Sequence, residues 1–171
     1  MKSRAALLVL VVTGLSFFST AFGQDSPSPT QVRSLLADCE YSIRRFEEIT
    51  DKVDFSKWKT DSDLISAVQA DLTASRQLAS RTKQNMAEIR NPSRLNTTIW
   101  LMLYDAIISL DETASSLSHF LLLATRDHAL ATELTNFSTA MMTGPRPKLR
   151  EMLWEQAVND QLALSKCAPG N

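Results

Sequence analysis

From Val32 onward apolar residues recur every three or four positions, and no stretch alternates strictly enough to suggest a strand. That period belongs to helices burying one face, so the pattern predicts an all-α chain. Val32, Leu35, Leu36, Cys39, Ile43, Phe46, Ile49 and Val53 mark a first helix over 30–53, capped by Thr30. Glu40 with Arg44, and Glu48 with Lys52, stand four apart in the order that supports it. A connector follows, and its Phe55 and Trp58 are expected to lid one end of the fold. Asp61, Ser62 and Asp63 bring caps and negative charge to the start of a second helix, which runs to Arg90 before Asn91-Pro92 stops it.

The third helix is expected from a cap at Ser93 to about Thr125, and its pattern differs from the others. Leu103, Ala106, Ile107, Leu110, Ala114, Leu117 and Leu121 form the usual stripe, but Trp100, Leu101, Met102, Tyr104 and Ile108 spread apolar surface beyond it. A helix apolar on several sides must be covered on several sides, by the rest of the chain or by a second copy. Asp111-Glu112 and the neighbouring serines interrupt it too much for a membrane span.

Asp127 caps a fourth helix through about Met142, with Leu130, Leu134, Phe137 and Met141 inward. Gly144-Pro145-Arg146-Pro147 then forbids continuation, and a last helix runs from about Pro147 to Lys166. Long helices with short connections predict an up-and-down helical bundle of four to five antiparallel helices, the last column interrupted at Gly144–Pro147. Two arrangements satisfy the pattern. The last two helices form one broken column, or they fold back as a hairpin.

The first 23 residues follow a different grammar. Lys2 and Arg4 precede the apolar run Ala5–Val12, and Ala21 and Gly23 place small residues before Gln24. This is the order of a secretory signal, predicting a secreted or periplasmic protein. The layout is then a signal at 1–23, an extended tail at 24–29, one domain at 30–167 and a C-terminal tail at 168–171. Loss of Lys2 and Arg4 leaves 16 basic against 19 acidic residues. A mature charge of −3 gives no electrostatic reason to bind nucleic acid or an anionic membrane. In an oxidising compartment the only two cysteines, Cys39 and Cys167, are expected to bridge and tie the last turn to the first helix.

Little else carries chemistry. Asp105, Glu112 and His119 stand seven apart, about 10 Å per step, too far to share a metal, and read as a solvated edge. Asp127-His128 reads as a cap followed by an exposed histidine, with no nucleophile motif beside it. No Glu-x-x-His pair, haem-attachment motif or glycine-rich phosphate loop is present, so no metal or cofactor is expected. Asn96-Thr97-Thr98 and Asn136-Phe137-Ser138 match the glycosylation pattern, which matters only in a eukaryotic secretory route.

One basic cluster stands out. Arg146, Lys148 and Arg150 crowd the first turns of the last helix, where the helix dipole disfavours positive charge and exposed backbone donors favour an anion. Exposed bases at helix starts are common, but if the chain contacts an anion or an acidic partner, this is where the contact is expected. The functional expectation is an exported, non-catalytic binding module for a protein or small-molecule partner, self-associating through the third helix if at all. The competing readings are a cofactor- or metal-carrying bundle and an enzyme with an unfamiliar site.

Overall fold

The computed structural model describes residues 28–89 and 95–167, with side chains as far as Gln161. The signal, the tail before Ser28, the Asn91-Pro92 stop, the Ser93 cap and residues 168–171 lie outside the described residues. Five α-helices follow in order: α1 (Pro29–Thr50), α2 (Ser62–Ala87), α3 (Thr97–Ala124), α4 (His128–Thr143) and α5 (Pro145–Cys167), with a 3-10 turn at Phe55–Lys57.

The starts of α1 to α4 each have a side-chain cap, though not always the expected one. Ser28, not Thr30, caps α1: its hydroxyl accepts from the Gln31 N–H, and the Gln31 side chain accepts from the Ser28 N–H. Pro29, assigned to an extended tail by sequence, is the first helical residue, where its missing donor costs nothing. Asn96 caps α3 and Asp127 caps α4. Between α3 and α4, Arg126 adopts a left-handed conformation with φ 57°. Lys52 and Glu48 do not pair with each other. Lys52 reaches Glu133 of α4 at 2.7 Å and Glu48 pairs with Arg45.

The cross-contacts fix the topology. Arg76 meets Asp51 and Lys83 meets Glu47, so α2 runs antiparallel to α1. Ser75 bonds Thr113 while Asn85 reaches Met102, which reverses direction again into α3. Ser118 bonds Thr135 and Ser138 bonds Asp111, placing α4 antiparallel to α3. Arg146 then meets Asp111, and Asp160 accepts from Thr97 near the start of α3. α5 therefore keeps the direction of α4. The two are one broken column, the hairpin does not form, and the bundle is up-down-up-down.

α3 touches all four other helices, α1 across the diagonal included. This is why its sequence is apolar on so many sides. Leu103, Ile107, Leu110, Leu117 and Leu121 are buried with Phe46, Leu134 and Leu149 in one core, and Trp100 joins them at 2% exposure. The connector lids one end as expected: Trp58 is 6% exposed, stacks at 4.7 Å on Phe55, and Lys59 N–H donates to the Ala124 carbonyl.

The break in the fourth column is shorter than a loop. Gly144 alone separates the helices, and Pro145 and Pro147 sit inside the first turn of α5, where backbone donors lack helical acceptors anyway. A Cβ on residue 144 would lie 2.8 Å from the Ala140 carbonyl oxygen, so glycine is what permits so tight a join.

The described residues do not show the expected Cys39–Cys167 bridge. Cys39 is a free, fully buried thiol. Its neighbour Asp38 pairs with Lys148 at 3.1 Å. Cys167 ends α5 about 28 Å further along that helix at 1.5 Å per residue, and its side chain lies outside the described residues. An unbroken helix carries the second cysteine away from the first. Burial pushes the Cys39 thiol up to about 12, Asp38 adding to the rise and Lys148 opposing it.

Candidate functional site

Asp111 interrupts the α3 stripe with a charge, yet is only 3% exposed. It faces the broken column, and its two carboxylate oxygens are used on either side of the break. The Ser138 hydroxyl of α4 donates to Oδ1 at 2.5 Å, and Arg146 Nη1 of α5 donates to Oδ2 at 2.6 Å. One carboxylate thus holds both halves of the fourth column to α3. The hydrogen bond that Arg146 donates to Asp111 is the main reason its guanidinium is held above its ordinary pKa; burial opposes it, and the Tyr104 hydroxyl assists.

The three expected basic residues part company. Lys148 turns to Asp38 on α1. Arg146 and Arg150 stay together and, with Tyr104, Met142 and Pro147, line a pocket of about 260 Å³ between α3 and the broken column. Arg150 has no carboxylate within 4 Å among the described residues. Backbone donors, which sequence placed beside these bases, are largely missing because Pro145 and Pro147 occupy two of the first three helical positions. The cationic character of the pocket comes from side chains.

Large apolar side chains are exposed on the same helices. Trp154 is 63% exposed and Met142 61%, with Val158 and, on α3, Leu101 also exposed. Arg150, Trp154 and Val158 stand four apart and share one side of α5. The antiparallel register that pairs Asp111 with Arg146 and Thr97 with Asp160 brings Leu101 to the height of Trp154 and Val158. A second groove, about 430 Å³ between α1 and α2, has Leu36, Met86 and Ile89 in its lining but a rim of both signs: Arg33, Lys83 and Glu40. Lys83 is already paired with Glu47. That groove lacks the one-signed charge of the first.

Asp105, Glu112 and His119 are exposed along one edge of α3, and His128 is exposed at the start of α4. No group of three His, Cys, Asp or Glu side chains is placed to hold a metal among the described residues. No described helix is long and apolar enough to cross a membrane. Of the two glycosylation-pattern asparagines, Asn96 is occupied as the α3 cap, while Asn136 is exposed on α4 between the buried Phe137 and the core-facing Leu134. Comparison with protein-family models, curated proteins and solved structures finds no match to this chain.

Sequence reasoning missed Asp111, Ser138 and Tyr104. The signal was present for one of them. Asp111 falls four residues after Ile107 and three before Ala114, on the buried side of the stripe, where an acid needs a partner.

Proposed function

We propose that the protein is an exported, non-catalytic binding module, released at Gln24, whose contact surface is the outer face of α5 with the adjoining part of α3. Trp154 carries this reading. The chain's other two tryptophans are buried to 6% and 2% exposure, whereas Trp154 stands 63% exposed one turn from Arg150. Tryptophan, tyrosine and arginine are the residues that dominate binding energy at interfaces, and Trp154, Tyr104, Arg146 and Arg150 gather on this one face. Leu101, Met142 and Val158 add apolar contact area around them.

Native electrophoresis of the exported fraction tests the proposal. Wild-type protein migrates as a complex larger than the free bundle, and Trp154→Lys migrates as the free bundle while keeping its melting temperature. Light scattering of the purified chain tells a second copy from a different partner. Identical migration of wild type and variant contradicts the proposed surface. An intact mass that does not begin at Gln24 contradicts the export half.

A further inference from the structure

We propose that the pocket lined by Tyr104, Met142, Arg146, Pro147 and Arg150 binds an organic carboxylate, an oxyanion carried on an apolar body. This deepens the binding role proposed above and rests on it for its purpose. Two guanidinium groups line the pocket and no acid does. Asp111 neutralises one of them from the buried side through Nη1 and the Tyr104 hydroxyl bonds the same guanidinium, so the charge left for a ligand is that of Arg150. Arg150 finds no relief on its own helix. The residues three and four positions away are Arg146, Pro147, Leu153 and Trp154, so the pocket holds one positive charge with no internal partner.

Preorganisation favours the same conclusion. Arg146 is held at 2.6 Å by a carboxylate that is itself buried and bonded to Ser138, so one fork of the site is fixed before any ligand arrives. The Tyr104 hydroxyl supplies a further polar group. The remaining walls, Met142, Pro147 and the Tyr104 ring, are apolar. The pocket, about 260 Å³, leaves room beside the arginines for more than a bare oxyanion. Charge selects the anion, and the Met142, Pro147 and Tyr104 walls receive the body attached to it.

Amide chemical shifts of the mature chain, followed during titration at constant ionic strength set by sodium chloride, test this with three probes: benzoate, inorganic phosphate and benzamide. Benzoate is expected to shift Tyr104, Arg150 and Trp154 saturably, at a concentration at least tenfold below that of phosphate, with benzamide without effect. Arg150→Ala is expected to weaken benzoate at least tenfold with an unchanged melting temperature, since Arg150 is exposed and makes no internal ion pair. Benzamide binding as well as benzoate, phosphate binding as tightly as benzoate, no saturable shift with benzoate, or unchanged binding by Arg150→Ala each overturns the proposal. Such a failure leaves the Trp154-dependent complex standing, because that complex is read separately by its migration.

Discussion

Replacing Arg146 with alanine removes one of the two groups that satisfy a buried carboxylate. Asp111 has a side chain 4% exposed, and the truncation leaves it with the Ser138 hydroxyl alone. Breaking a fully buried ion pair from one side costs about 3–5 kcal/mol. Arg146 itself is 34% exposed, so water reaches the vacated space and screens the orphaned charge; the expected loss falls to about 2–3 kcal/mol. Asp111→Ala costs less, about 1–2 kcal/mol, because the guanidinium it strands can turn to solvent. The double variant is expected to be little worse than Arg146→Ala alone, since no uncompensated charge remains in it. Urea unfolding at neutral pH measures all three, and with a slope of 1–3 kcal/mol per molar the single Arg146 change moves the midpoint by about 0.7–3 M. An Arg146→Ala loss below about 0.5 kcal/mol, or strict additivity in the double variant, refutes the idea that Asp111 clamps both halves of the fourth column.

Other outcomes follow from single positions. Gly144→Ala sets a steric clash of about 1–3 kcal/mol against an unfolded-state gain of 0.4–1 kcal/mol, so a net loss of about 1–2 kcal/mol is expected on urea unfolding, and any stabilisation contradicts the tight join. Arg126→Gly relieves a left-handed residue and is expected to raise stability by about 0.5–1 kcal/mol, read as a melting temperature higher by about 2 °C. Iodoacetamide without reductant is expected to leave Cys39 unlabelled in the native protein and to place two labels per chain in denaturant, whereas no label in denaturant restores the Cys39–Cys167 bridge. The Cys39 thiol has a higher pKa folded than unfolded, so its contribution is complete below the ordinary thiol value and is lost as pH rises from about 9 towards 12. Urea titrations of wild type and Cys39→Ala at stepped pH should show their stability difference shrinking in that window by up to about 1.4 kcal/mol per pH unit, and a constant difference contradicts the burial.

The columns were legible because apolar residues recur at helical spacing along them and most turns carry capping residues. The crowded apolar pattern of α3 also announced its contacts with several helices, though Leu101, Leu122 and Leu123 stay exposed. Two features were not legible. Whether the chain folds back after Gly144 depends on where Asp111, Asp38 and Thr97 stand in space, and these are more than thirty residues from the groups they engage. The cysteine pair was not legible for a related reason. Spacing and compartment favour a bridge, but a fourth column running straight on carries Cys167 away from Cys39. For the basic cluster, sequence located the right turn of the right helix, and only the register could separate Lys148, which pairs with Asp38, from the two arginines that share a pocket with Tyr104.

The central claim is that the outer face of α5 meets a partner. A photo-reactive phenylalanine analogue placed at position 154 in cells that export the protein tests it most directly, with the same analogue at Thr132, on the exposed side of α4, as control. The account predicts a discrete light-dependent adduct from position 154 that disappears when Arg150 is also replaced by alanine, and none from position 132. No adduct from position 154, or equal adducts from both positions, contradicts it.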